Sequence, residues 1–193
     1  LVTGRYSLEK TPRWQQLLAG LAQHDVRWHR FVVEGEPSPE LVDEAVAMFR
    51  DETIDTVVGI GGGSVLDAAK AIAGLLKTGT QVLDHLEGVG RGLSYTGPAV
   101  PFIAVPTTAG TGSEATKNAV LSRQGPEGFK KTFRREQLVA AIAVVDPSLL
   151  ASCPKDLIAA NGMDAFTQLL EAYLSTNAGA MTDMVAWEGL RYV

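Results

Sequence analysis

The stretch Thr56-Val57-Val58-Gly59-Ile60-Gly61-Gly62-Gly63-Ser64-Val65-Leu66-Asp67-Ala68-Ala69-Lys70 decides the fold. Val57, Val58 and Ile60 are β-branched with no charge between them, which is the pattern of a strand hidden on both faces. The glycines that follow permit positive φ and let a ligand approach bare backbone. Helix is expected at once, with Ser64 at the N-cap and Asp67 closing a capping box three residues on. Val65, Ala69, Ile72, Ala73 and Leu76 recur at helical spacing and form its apolar face. A strand, a glycine turn and a helix start in that order make a phosphate cradle, because the free N–H groups and the positive dipole end point at the turn. The spacing is not G-x-G-x-x-G, since Ser64 stands where the third glycine would be, and no Walker lysine-plus-hydroxyl pair follows. A tight turn with no ligand is the alternative.

Working outward, the chain alternates strand and helix. Residues 1–3 read as a strand, and Thr11-Pro12 opens a helix running to about Gln23. Residues 26–33 read as a second strand. Ser38-Pro39 repeats the helix start, with Leu41, Ala45, Met48 and Phe49 as the buried face. Beyond the cradle helix, residues 78–97 form a polar, glycine-rich connection. Residues 99–106 form another buried strand, ending in Pro106-Thr107-Thr108-Ala109-Gly110-Thr111-Gly112-Ser113-Glu114, a second candidate functional loop. Residues 122–135 are polar and basic and read as a solvated loop, and residues 138–145 are the last apolar strand before Asp146-Pro147. This order predicts an α/β fold, a doubly wound parallel sheet with its ligand at the carboxyl ends of the strands. From Asp156 the pattern is helix after helix. The expected division is a dinucleotide-binding α/β domain over residues 1–150 and the start of an all-helical metal and substrate domain over residues 151–193.

The 193 residues are 46% hydrophobic, enough for one full core and part of another. A net charge of −5 argues against a nucleic-acid or anionic-membrane partner, either of which wants a basic face. Cys153 is the only cysteine, so there is no disulfide framework, and no apolar run is long enough to cross a bilayer. A cytoplasmic protein is the expectation. Leu1 opens in mid-strand without an initiator Met and the end falls inside a helical pattern, so the chain is read as a piece of a longer protein. His24, His29 and His85 are expected at the surface or in loops, Trp14, Trp28 and Trp187 in apolar cores, and Cys153 as a small, at least half-buried side chain.

Three motifs occur in order: Gly61-Gly62-Gly63-Ser64-x-x-Asp67-x-x-Lys70, the loop from Pro106 to Glu114, and Gly162-Met163-Asp164-Ala165. With them the sequence resembles the iron-dependent (group III) alcohol dehydrogenases, along nearly all its length but over only the first half of a typical member. The resemblance implies a nicotinamide cofactor, NADP or NAD, a divalent metal held by the helical domain, and hydride transfer to or from a small alcohol or carbonyl substrate. It also implies a homo-oligomer when the protein is complete, with this piece inactive alone. Carried over by position, Gly62, Gly63 and Ser64 would hold the pyrophosphate, and Asp67 would lie near the cofactor, where Lys70 could pair with it. Thr107, Thr108 and Thr111 would line the cofactor, and Lys130 would contact the ribose end. Gly4 stands where NAD-preferring relatives carry an Asp, which with Arg5 and Ser7 as donors to a 2′-phosphate tilts the expectation toward NADP.

In the family an Asp and a His four residues later supply two metal ligands. Asp164 matches the first and would be catalytic through the metal, whereas Gln168 takes the place of the His. An amide oxygen is a weak ligand for Fe²⁺ or Zn²⁺. A polyol dehydrogenase or a dehydroquinate-synthase-like lyase on the same fold, and a nucleotide-binding protein with a decayed metal site, remain as alternatives.

Overall fold

A computed structural model describes residues 1–6 and 8–193. Its strands are β1 (Val2–Gly4), β2 (Phe31–Val33), β3 (Val57–Gly61), β4 (Phe102–Pro106), β5 (Asn118–Arg123), β6 (Phe129–Arg134) and β7 (Ile142–Ala143). Its helices are α1 (Pro12–Gln23), α2 (Pro39–Met48), α3 (Gly63–Leu75), α4 (Lys155–Leu174) and α5 (Ala180–Leu190). Five strands form one parallel sheet in the order β2-β1-β3-β4-β7, while β5 and β6 pair as an antiparallel hairpin. β3 is paired along its whole length, from Val57 opposite Phe102 to Gly61 opposite Pro106.

Apolar side chains leave both faces of this sheet, which is why helices cover both. On one face α2 and α3 bury Val42, Ala45, Val46, Leu66, Ala69 and Ile72 against Val57, Phe102 and Ala104. On the other, Leu8 and Trp14, with Leu17 and Leu18, pack on Ile60, Val58 and Val105. Full burial of one such Val or Leu side chain is worth about 1.5–3 kcal/mol. The architecture is the expected doubly wound α/β sheet followed by helices. The strand order reverses between β1 and β3, so the switch point where such folds bind ligands falls beside the glycine turn.

Several local expectations are corrected. The second strand is only Phe31–Val33, because its sole neighbour β1 offers three residues to pair with. Residues 26–30 are irregular, and Trp28 is exposed. The last strand shrinks to Ile142–Ala143 at the sheet edge. The basic stretch read as a loop holds the end of β5 and all of β6, and this hairpin buries Ala119, Leu121 and Phe133 against α3. On α2 the buried face is Pro39, Val42, Ala45 and Val46, and Met48 points to solvent. Ser38 does cap α2, accepting from the Leu41 N–H at 3.2 Å, whereas the Thr11 hydroxyl donates to the Leu8 carbonyl instead of capping α1.

His85 overturns its surface expectation. It is 4% exposed, stacked on Phe133 and edge-on to Tyr95. Its Nδ1 donates to the Leu93 carbonyl at 3.1 Å, which leaves Nε2 to accept from the Thr80 hydroxyl at 2.8 Å. Trp14 is core as expected, while Trp187 on α5 is exposed beside Tyr173. Among the described residues no helix is long and apolar enough to cross a membrane.

Candidate functional site

The cradle forms two residues earlier than the capping pattern suggests. Gly62 is the N-cap of α3, with φ −77° and ψ −175°, and its carbonyl accepts from the N–H groups of Val65 at 3.0 Å and Leu66 at 3.1 Å. Ser64 is therefore inside the first turn and caps nothing, and Asp67 closes no capping box. The amides of Gly63 and Ser64 are left as the free helix end. Close approach, not left-handed backbone, is what requires glycine here. A methyl group on Gly63 would lie 2.7 Å from Thr111 Cγ2, and one on Gly62 would lie 3.3 Å from the Thr108 side chain.

Those threonines belong to the loop after β4. The Thr107 N–H donates to the Gly61 carbonyl at 2.9 Å and carries the β3–β4 pairing one residue into the loop. Gly110 then passes so close to α4 that a Cβ there would meet Asn161 backbone and side chain at 2.8 Å. Between turn, loop and α4 lies a cleft of about 380 Å³. Gly62, Gly63, Ser64, Thr107, Thr108 and Thr111 form its polar wall, and Leu8, Leu149, Cys153, Pro154 and Leu157 form much of the opposite one. A larger hollow of about 520 Å³ opens at the amino ends of β1 and β3, around Trp28, Phe49 and Ile54. It has no helix start facing it and lies at the wrong end of the strands for a parallel sheet.

Asp67 projects from the second turn of α3 and accepts from the Ser113 hydroxyl at 2.6 Å. Burial pushes its carboxyl above the usual range, against the pull of Ser113, Lys70 and Lys130. Lys70, 3.8 Å from Asp67, is completely buried. Burial lowers its ammonium to about 8. Its i+3 spacing from Asp67 suggested only a pair with that carboxylate, although its neighbours Ala68, Ala69, Ala71 and Ile72 were a signal that the helix is inside here.

The remaining expected residues are not gathered in the cleft. Lys130, on β6, is exposed and pairs with Glu36 at 3.0 Å. Gly4 ends β1 opposite Val33, and the next residue, Arg5, is held by Glu34 at 2.8 Å, so its guanidinium is not free as the NADP expectation assumed. Ser7 lies outside the described residues. Asp164 is exposed on α4, and the Gln168 amide donates to the Gly110 carbonyl at 3.3 Å. These donors do not fit a transition metal by themselves: one carboxylate and one weakly ligating amide oxygen, with no imidazole. Among the described residues no three His, Cys, Asp or Glu side chains are grouped to hold one.

Sequence reasoning passed over Leu8, Leu149, Asn161 and the Cys153 wall. These come to the cleft through tertiary packing and carry no motif.

A doubly wound sheet whose switch point opens onto a free helix end, with glycines below and threonines above, defines a dinucleotide-binding α/β protein. The family model described as iron-containing alcohol dehydrogenase matches residues 1–147, and the chain belongs to that family. It is 41% identical over 180 residues to long-chain-alcohol dehydrogenase 1 of Geobacillus thermodenitrificans, covering 92% of this chain and 44% of that protein. It is 37% identical over 158 residues to the NAD-dependent methanol dehydrogenase of Bacillus methanolicus, covering 82% and 40%. The crystal structure of the NADH-dependent butanol dehydrogenase A of Thermotoga maritima superposes with a TM-score of 0.87 at 27% identity, covering 98% and 46%. The chain thus spans less than half the length of each of these relatives.

Proposed function

We propose that this chain is the dinucleotide-binding part of an oxidoreductase that moves a hydride between a nicotinamide cofactor and an alcohol or its carbonyl counterpart. The observation that carries the reading is the free end of α3 at Gly63 and Ser64, open to a cleft at the switch point of the sheet. Relatives named for NAD or NADH and for alcohol substrates support the class of reaction.

In this reading the amides of Gly63 and Ser64 and the Ser64 hydroxyl hold the pyrophosphate, and Gly62 lets it reach the backbone. Thr107, Thr108 and Thr111 fix its orientation from above. Leu8, Leu149 and Cys153 offer an apolar wall to a flat ring and keep water from it. When bound, the nicotinamide accepts or supplies the hydride, and the chain's own task is alignment. Asp67, on the second turn of α3, and Lys130, on β6, are near enough for the ammonium to act on the carboxylate. Gly4 and the Arg5–Glu34 pair stand at the end of β1, where the choice between NAD and NADP is made. No step is assigned to a metal on Asp164 and Gln168, since their donors do not make a site.

A fluorescence titration of the chain with NADH and NADPH tests this. Saturable binding that Gly63→Ala weakens is the expected result, and a folded chain that binds neither overturns it.

A further inference from the structure

Lys70 is among the largest fully buried side chains of the described residues, and a charged group is expensive to bury unless its hydrogen bonds are met. Here they are met from one direction. The three N–H groups of Nζ are shared among four acceptors, the Ser113 carbonyl at 2.8 Å, the Asn118 carbonyl at 2.7 Å, and the hydroxyls of Ser113 and Thr116, both at 3.1 Å. All four acceptors lie in the segment that runs from the threonine loop into β5, and Lys70 itself is on α3. Asp67, one turn nearer the cradle, takes the Ser113 hydroxyl as well. The charged groups facing the ammonium are Asp67 on its own helix and Glu114 in the loop, and Lys130 faces Asp67 from β6.

The geometry of the cleft depends on how that loop sits. Thr111 is two residues from Ser113, and the Ser113 N–H donates to the Thr111 hydroxyl at 3.3 Å. Thr111 in turn is the side chain a methyl on Gly63 would strike. The chain of contacts runs from Lys70 through Ser113 to Thr111, and so to the space over the cradle.

We infer that Lys70 is a positioning residue that, together with Asp67 and Ser113, sets the separation of the two dinucleotide-binding loops by fastening the threonine loop to the cradle helix. The inference rests on the proposed function. Lys70 touches no ligand; it holds Thr108 and Thr111 at the height a bound pyrophosphate needs. Four acceptors converging on one ammonium define a single loop position, whereas an apolar side chain at residue 70 would take away the donor shared by the Asn118 carbonyl, the Ser113 carbonyl and the two hydroxyls and leave the loop free to lift.

The test compares the wild-type chain with Lys70→Met by NADH and NADPH titration and by amide hydrogen exchange. Expected are an affinity lower by about tenfold or more and a loss of protection confined to residues 107–116, with α3 and β3 keeping theirs. A Lys70→Cys chain in a Cys153→Ser background, aminoethylated while unfolded and then refolded, restores the ammonium at the original length and recovers the affinity of its Cys153→Ser parent. Equal affinity in Lys70→Met, protection lost evenly across the sheet, or no recovery on aminoethylation overturns the inference. Should Lys70→Met not fold, Ser113→Ala removes the hydroxyl that joins the loop to both Asp67 and Lys70 and is expected to bind more weakly; unchanged affinity there counts against the inference. If the folded wild-type chain binds neither dinucleotide, it is the functional reading that has failed.

Discussion

The side-chain amide of Gln168 on α4 donates to the backbone carbonyl of Gly110 in the loop after β4, at 3.3 Å. The bond joins the helix to the loop that roofs the cleft, at the place where a Cβ on Gly110 would already collide with Asn161. Gln168, which the resemblance set in the place of a ligand, is here a tether between helix and loop. With its NH₂ group given to that carbonyl, Gln168 keeps only its amide oxygen, a weak ligand for a transition metal.

Replacing that amide with imidazole is therefore expected to exchange one role for the other. Gln168→His sets a nitrogen four residues from Asp164 on one helical face, the spacing two ligands need. Titration with Co²⁺, followed by its d–d absorption, is expected to show saturable binding in the variant, about tenfold or more tighter than in wild type. Equal, weak spectra in both would show that Asp164 does not share the site.

Cys153 is half-buried in the cleft wall that faces Gly62 and Gly63. A dinucleotide in that cleft covers the thiol. Saturating NADH or NADPH is expected to slow alkylation of Cys153 by iodoacetamide about tenfold, as read by mass spectrometry against time, because reaction then requires the ligand to leave. AMP or inorganic phosphate, filling less of the cleft, should protect less. An alkylation rate indifferent to both dinucleotides would place their binding elsewhere.

The contact between Gly63 and Thr111 makes a paired test of the cradle. Gly63→Ala puts a methyl 2.7 Å from Thr111 Cγ2, so the loop must lift or the helix end must shift. Affinity for the dinucleotide is expected to fall by about tenfold or more, with little change in thermal stability since Ala is the better helix former. Adding Thr111→Ser removes the struck Cγ2 and is expected to restore part of the loss. No restoration would mean that the methyl obstructs the ligand itself and not the loop.

Arg5 and Glu34, 2.8 Å apart and both exposed, stand at the ends of β1 and β2. While the pair is intact the guanidinium is engaged and the carboxylate opposes a 2′-phosphate. Glu34→Ala frees one and removes the other, and the ratio of NADPH to NADH affinity is expected to rise by about tenfold. Parallel titrations at one ionic strength measure it; an unchanged ratio would remove this corner from the cofactor site.

What could be read in the sequence was whatever local chemistry fixes alone. The run Val57-Val58-Gly59-Ile60 and the glycines after it specify a buried strand and a close turn wherever they fall, and Ser38-Pro39 specifies a helix start. Position within the turn was less legible: Ser64 looked like the cap, but the helix begins at Gly63 because Gly62 already carries the first accepting carbonyl. The hairpin of β5 and β6 was hidden by the charges of Lys130 and Arg134, which face outward, and of half-buried Lys131, which shares a face with Ala119, Leu121 and Phe133. Its signal was the period-two alternation around Gly125-Pro126. The burial of His85 and Lys70 had no local signal of that strength, since each depends on acceptors contributed by other segments of the chain.

Lys70 also makes stability depend on pH in a direction opposite to that of an exposed lysine pair. Burial lowers its folded-state value from 10.5 to about 8, while in the unfolded chain it stays near 10.5. Below pH 8 both states are protonated and the full cost of burying the ammonium is present. Between 8 and 10.5 the unfolded chain holds a proton that the folded one has released, so unfolding takes up a proton and stability from this group rises with pH. The ceiling on the gain is about 3 kcal/mol. Urea unfolding of wild type and Lys70→Met at several pH values isolates the effect: the stability of wild type relative to the variant is expected to be flat below pH 8 and to climb above it. A gap that stays constant through that range would mean the four acceptors around Nζ hold its proton as firmly as water does.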